Sequence, residues 1–324
     1  VDSSLPVCTL VVNPTAGQGR AGRQLPQVVT TLARSSPHHR LDVHRAGSWA
    51  EAAERCRTAV RRALERRRHA PDRRPDCLVV MGGDGMMHLG LNACAGTDVA
   101  LGMVPAGTGN DLVRGLGLSA RGPRDGIATV ATGRTRQVDL IRVRGADADG
   151  GDAEDVWVGS VVAAGFDAAV NRRANAMRWP RGSLRYATAA LAELAGFAPV
   201  EYELVLDGQP RQLLAMLVAV GNGGYYGGGI NICPDADPAD GLLDVTIVHP
   251  VSRPHLLAML PLMYSRAFTR HPAVEQTRAR RVELRHRDAA GAPLPVMGDG
   301  EPVGSSPVVL EAAPRALTVF APAA

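Results

Sequence analysis

The sequence predicts an α/β N-terminal domain with an open, mostly parallel sheet over residues 1–137. A mainly antiparallel β-sandwich is predicted over 138–324. Three observations carry this. Short, continuous apolar runs (VCTLVV at 7–12, CLVVM at 77–81, ALGMV at 100–104) each end in a glycine-rich or Pro-Gly turn and lead into a helical stretch. After residue 137 the texture changes to strand-like runs separated by turn residues. No apolar run reaches the roughly 18 residues a membrane-spanning helix needs.

The elements follow in order. VCTLVV reads as a parallel strand buried on both faces, followed by a helix to about Leu32. LDVHRA (41–46) reads as a second strand, and residues 48–68 as a helix. Ser48 is its N-cap, with Glu51 at the capping-box spacing. The arginines at its end (Arg61, Arg62, Arg66, Arg67, Arg68) suit a helix C-terminus and a solvated face. CLVVM and ALGMV supply strands three and four. Beyond them VDLIRV, VWVGSVV, YELVL, LLAMLVAV, LLDVTIV, RRVELRH and ALTVF read as strands. Two helices interrupt them, one at about 183–195 with a leucine stripe and one at about 253–268 with Pro261 inside. ADADGGDAED (146–155) reads as an acidic solvated loop, its spacing unlike an EF-hand.

Composition narrows the chemistry. With 45% apolar and 21% charged residues the 324-residue chain has ample material for two cores. The start VDSSLPVCTLVV lacks a basic n-region, so a cytoplasmic, non-spanning protein is expected. Five scattered cysteines form no CxxC pair and read as reduced core residues. The 36 basic residues are all arginine, a bias that suggests a high-GC genome. A P-loop lysine and a Schiff-base lysine are therefore excluded, and phosphate must be held by backbone N–H groups, arginine or metal. The net charge of +4 permits attraction to acidic lipid surfaces but is too dispersed to point to nucleic acid.

Three loops after strands one, three and four carry the chemistry, at the strand ends where open α/β sheets bind ligands. The first is Asn13-Pro14-Thr15-Ala16-Gly17, where Gly17 and Gly19 let the backbone approach an anion; a plain turn would read the same way. The second is Gly82-Gly83-Asp84-Gly85, a candidate pyrophosphate cradle. Asp84 could hold Mg²⁺, accept a proton, or cap the following helix in a tight β–α turn. The third is Pro105-Ala106-Gly107-Thr108-Gly109-Asn110-Asp111, again two glycines and a hydroxyl at a helix start. Two such loops on neighbouring strands say more than either alone.

VVNPTAG, VVMGGDG and VPAGTGNDLVRGLG, in this order and spacing, resemble the catalytic domain shared by diacylglycerol, sphingosine and ceramide kinases. Gly221-Asn222, Tyr226-Gly227-Gly228-Gly229, Pro234, Asp240-Gly241-Leu242-Leu243-Asp244 and Asp299-Gly300-Glu301 extend the resemblance to about residue 320. It implies an ATP-dependent lipid kinase, most simply one turning diacylglycerol into phosphatidic acid. It implies that Asn13, Pro14, Gly17, Gly82, Gly83, Asp84, Gly85, Gly107, Thr108, Gly109 and Asn110 bind ATP. Asp84 and Glu301 become the base candidates, with Asp299 a supporting carboxylate. Asp237, Asp240 and Leu242 would hold a structural Mg²⁺ through the Asp240 carboxylate and backbone carbonyls of that loop, Asp139 would join a carboxylate–water network, and Asp167 would face the acceptor hydroxyl. Carboxylates of both domains would meet at the reacting centre.

Two positions depart from the pattern: Met86 stands where a threonine is usual, and Leu89 where most members have glutamate. They leave room for another acceptor, lipid or soluble, or for an inactive nucleotide- or lipid-binding homologue. An NAD kinase is disfavoured by the Pro105-to-Asp111 loop. A lipid kinase must work peripherally at a membrane surface, and Arg178, Trp179, Arg181 and Arg185 suit the headgroup layer. A homodimer is left open.

Overall fold

The structure, a computed structural model, describes residues 5–36, 38–72, 74–145, 155–165, 169–170, 173, 176–177, 188–189, 192–193, 198–286 and 295–322. The chain forms two units, Val1–Val138 with Arg315–Ala324, and Asp139–Pro314.

The first unit alternates strand and helix: β1 (Val7–Val12), α1 (Ala16–Ser35), β2 (Arg40–Arg45), α2 (Trp49–His69), β3 (Cys77–Gly82), α3 (Asp84–Cys94), β4 (Ala100–Pro105), α4 (Asp111–Gly115) and α5 (Pro123–Ala131). Its strands run parallel in the order β2-β1-β3-β4. Every residue of β1, β3 and β4 is buried, as strands covered on both faces must be. Helix α1 packs beside α5, and α2 beside α3. Leu25, Val28 and Leu32 of α1 join Leu10, Val79, Met81, Ile127 and Val130 in one core.

Helix α2 begins as its sequence predicts. Ser48 Oγ accepts the Glu51 N–H at 3.2 Å, and the Glu51 carboxylate accepts the Gly47 N–H at 2.9 Å. Ser48→Ala strands one of these first-turn donors. It should cost about 1 kcal/mol in urea unfolding; an unchanged midpoint would show that water replaces the cap.

The second unit starts within β5 (Thr135–Gly145) and continues through β6 (Val156–Val158), β7 (Val161–Gly165), β8 (Val200–Leu206), β9 (Gln209–Ala215), β10 (Leu217–Gly221), β11 (Tyr225–Tyr226), β12 (Ile230–Asn231) and β13 (Leu243–Val248). Helix α6 (Arg253–Met259) precedes β14 (Val274–Ala279), β15 (Arg281–His286), β16 (Pro295–Gly298), β17 (Glu301–Ser305) and β18 (Val308–Phe320). Strands β14-β13-β10-β7-β16-β17 form an antiparallel sheet. In the other layer β15 pairs antiparallel with β8 and with the first half of β18, and β8 with β9. Ile141, Val162, Val218, Val245, Val282, Leu284 and Leu310 fill the core between the layers, the β-sandwich that the alternation predicts.

Three differences from the sequence reading have physical causes. The last residues of β18 return to the first unit, where Val319 pairs parallel with Leu101, so the boundary is crossed twice. LLAMLVAV is two strands, β9 and β10, turned at the buried Met216. The helix expected over 253–268 stops at Met259 and continues as two 3₁₀ turns, Leu260–Tyr264 and Arg266–Arg270. Pro261 has no N–H to donate and its ring crowds the preceding turn. Most of the helix expected at 183–195, the Arg178-to-Arg185 cluster, Asp167 and most of the acidic stretch 146–155 lie outside the described residues.

Candidate active site

In the first unit the three glycine loops converge. A Cβ on Gly107 would lie 2.5 Å from the Gly83 Cα, so only glycine at 107 lets these backbones meet. A Cβ on Gly17 would overlap the Ala106 carbonyl oxygen, which brings the first loop against the third. Ala106 N–H donates to the Gly82 carbonyl at 2.7 Å. The Asn13 side chain shapes the first loop, accepting the Thr15 N–H at 3.0 Å and the Thr15 hydroxyl at 2.7 Å. Gly17, Gln18 and Gly19 then take left-handed φ values of 58°, 61° and 79°, so regular helix starts only after them. A left-handed glutamine costs roughly 1–2 kcal/mol, strain of the kind found at ligand-binding loops.

Asp84 ties the second loop to the third. Its Oδ2 accepts the Asn110 N–H at 2.9 Å and its Oδ1 the Leu112 N–H at 3.1 Å. The capping reading is thus realised, but across loops rather than within α3. Asn110 holds φ at 55°, and its Nδ2 donates to the Ala120 carbonyl at 3.2 Å. Its Oδ1 is buried and without a hydrogen-bond partner among the described residues. The N–H groups of Gly83, Gly107, Thr108 and Gly109 likewise have no hydrogen-bond partner among the described residues. Gly107 is buried and Thr108 exposed. Such donors beside the N-terminus of α3 suit a polyphosphate, and the buried Asn110 acceptor suits a ligand donor. Met86 faces inward: it is buried, and its Cγ fills the space where a Gly82 side chain would go. The departure at 86 is therefore a packing choice.

In the second unit Asn222 joins Asp139 to the turn that Asp299 holds. Asp299 is buried, accepting the Gly159 N–H at 2.9 Å and the Ser160 N–H at 2.8 Å. Asn222 Nδ2 donates to the carbonyls of Asp139 and Gly159 at 2.8 and 3.0 Å. Its Oδ1 is a buried acceptor without a partner among the described residues. Asp139 is buried, and its Oδ2 accepts the Gly241 N–H at 2.7 Å. Glu301, half-buried, opens β17 directly after Asp299 and Gly300. Sequence reasoning named Asn222 only as part of a motif; the paired bonds to Asp139 and Gly159 needed the fold.

In the loop expected to bind Mg²⁺, two aspartates turn back on the loop's own N–H groups. Asp240 Oδ1 turns back to the Leu242 N–H at 3.0 Å, and Asp237 Oδ1 to the Ala239 N–H at 3.1 Å. The Arg278 guanidinium lies 3.6 Å from Asp240 Oδ2. Among the described residues no three His, Cys, Asp or Glu side chains gather as metal ligands.

Comparison with known proteins agrees with this arrangement. Residues 7–143 match the diacylglycerol kinase catalytic domain, and residues 160–321 the YegS C-terminal NAD kinase beta sandwich-like domain. A diacylglycerol kinase of Mycobacterium tuberculosis (strain H37Rv) is 37% identical over 317 residues, 97% of this chain and 94% of that one. The chain belongs to the diacylglycerol kinase family. It is a kinase. A crystal structure of a diacylglycerol kinase from Bacillus anthracis str. Sterne shares the fold, with TM-score 0.68 at 19% identity over 99% of this chain and 98% of that one. Yeast NADH kinase in complex with NADH shares it more distantly, with TM-score 0.53 at 11% identity over 99% of this chain and 85% of that one.

Proposed function

We propose that this kinase transfers the γ-phosphoryl group of ATP to a lipid hydroxyl, with diacylglycerol as acceptor and phosphatidic acid as product. The observation that carries the ATP assignment is the set of N–H groups on Gly83, Gly107, Thr108 and Gly109 that the described protein leaves unbonded. In a lysine-free chain these donors are the means of gripping a polyphosphate. Phosphoryl transfer needs positioning and charge neutralisation more than covalent chemistry. Mg²⁺ carried in with the nucleotide would supply part of that neutralisation.

The residues divide the remaining work. Asp84 uses both carboxylate oxygens to hold the Asn110–Leu112 turn, so its role is to fix the nucleotide loops. Glu301 is then the base that takes the acceptor's proton. Asp299 holds the Gly159–Ser160 turn and fixes the hairpin that presents Glu301. Diacylglycerol as acceptor is supported by the name of the Mycobacterium tuberculosis relative, aligned over nearly the whole chain. Among the described residues no helix is long and apolar enough to cross a membrane, so a lipid acceptor would be met peripherally.

The test is transfer of label from γ-³²P-ATP over vesicles carrying diacylglycerol, a sphingoid base, ceramide or a polyprenol, beside soluble alcohols and NAD. Label in phosphatidic acid that requires vesicles is the expected result. Full turnover on a soluble acceptor without lipid would overturn the lipid assignment, and nucleotide binding with no transfer anywhere would leave a binding protein.

A further inference from the structure

Strands β13 and β14 pair so that Asp244 stands directly opposite Arg278. Opposite charges in such a cross-strand pair attract. Arg278 does more than face its partner. Its Nε donates to Asp244 Oδ1 at 3.1 Å, its Nη1 lies 3.6 Å from Asp240 Oδ2, and its Nη2 donates to the Asp235 carbonyl at 3.0 Å. One planar fork therefore spans the loop from Asp235 to Asp244. Lysine could not bridge three such acceptors with the same geometry. Arg266 adds a second grip, with Nη2 at 2.7 Å from the Pro234 carbonyl and 2.8 Å from Asp235 Oδ1.

The rest of the loop closes on itself. Besides the turns made by Asp237 and Asp240, the Asp237 carbonyl accepts the Asp240 N–H at 3.4 Å. Mg²⁺ demands near-octahedral oxygen ligands at about 2.1 Å. Here Asp237 Oδ1 and Asp240 Oδ1 accept N–H groups of the loop itself, and Asp240 Oδ2 faces the Arg278 guanidinium. The loop's outward bonds reach Asp139: Gly241 N–H donates to its Oδ2 at 2.7 Å, and its N–H donates to the Pro238 carbonyl at 2.8 Å.

We propose that Arg278 is the resident cation of the 234–244 loop, doing the work the resemblance assigns to a structural Mg²⁺ and so positioning Asp139. The loop then keeps its form without a divalent ion, whichever hydroxyl the kinase phosphorylates.

The experiment is thermal melting of the full chain without nucleotide, in a chelator and in millimolar MgCl₂. Wild type should melt at the same temperature in both. Arg278→Gln should melt roughly 2–4 °C lower, with Arg278→Lys between them. A chelator-sensitive wild type would overturn the proposal, as would Arg278→Gln melting like wild type. Should Arg278→Gln fail to fold, Mn²⁺ titration of wild type followed by electron paramagnetic resonance decides: one tightly held Mn²⁺ per chain without nucleotide overturns it, and none supports it.

Discussion

Glu301→Gln should lower phosphoryl transfer to vesicle-borne diacylglycerol by about 100- to 10,000-fold, the range for removing a positioned general base, while leaving the melting temperature unchanged. The amide keeps the shape and volume of the side chain but cannot take the acceptor's proton at neutral pH. Glu301 is half-buried at the first position of β17, so an amide there is tolerated. Asp299 must be read differently. Its buried carboxylate accepts two backbone N–H bonds, and Asp299→Ala would leave both donors unmet, at about 1–3 kcal/mol for each buried group. Loss of activity in that variant therefore says nothing about chemistry unless its melting curve is measured beside it. Turnover at the wild-type rate in Glu301→Gln, with diacylglycerol as acceptor, would remove Glu301 from the mechanism.

The same turn shows how unevenly the sequence discloses structure. Asp299 and Gly300 carry φ values of 51° and 87°, and Gly298 pairs with Glu301, so these two residues are the whole connection between β16 and β17. Asp-Gly with both residues left-handed is a strong hairpin signal, as is Asp207-Gly208 between β8 and β9, with φ of 48° and 85°. Read as a functional motif, Asp299-Gly300 did not disclose its strands, because Pro295 and Pro302 interrupt the flanking alternation. Strands β1, β3 and β4 were legible because burial on both faces leaves only apolar residues to choose from. The glycine loops were legible because close backbone approach, as of Gly107 to Gly83, excludes a side chain at Gly107.

What the sequence hid depends on distant partners. Asp84 could have held a metal, taken a proton or capped its own helix. Which bonds it makes is set by the approach of Asn110 and Leu112, 26 and 28 residues on. Asp240 likewise looks like a cation ligand until β14 brings Arg278 to it. The return of β18 to Leu101 is a pairing between residues 218 positions apart, and no local pattern announces it.

A buried histidine should make the β-sandwich sensitive to mild acid. His286 closes β15, is 1% exposed, and stacks on Tyr202 with ring centroids 5.3 Å apart. Neither ring nitrogen has a hydrogen-bond partner among the described residues. Desolvation pushes its pKa down from 6.5 to about 4. The folded chain therefore keeps the ring neutral where the unfolded chain has already taken up a proton. Stability from this group is full above pH 6.5 and falls with pH through the window down to about 4, by about 1.4 kcal/mol per unit. His39, also lowered by burial, acts in the same direction, so the histidines must be separated by mutation. Glu275 does not interfere, because Arg211 holds its pKa at about 2 and its contribution is lost only in stronger acid. His286→Phe keeps the stack on Tyr202, removes no side-chain hydrogen bond among the described residues, and cannot take a proton. Between pH 7 and pH 5, wild type should lose about 2 kcal/mol more than His286→Phe in urea unfolding. Parallel losses in the two proteins would mean that the imidazole reaches water or a partner in the folded state, and that the sandwich core is open where it is drawn closed.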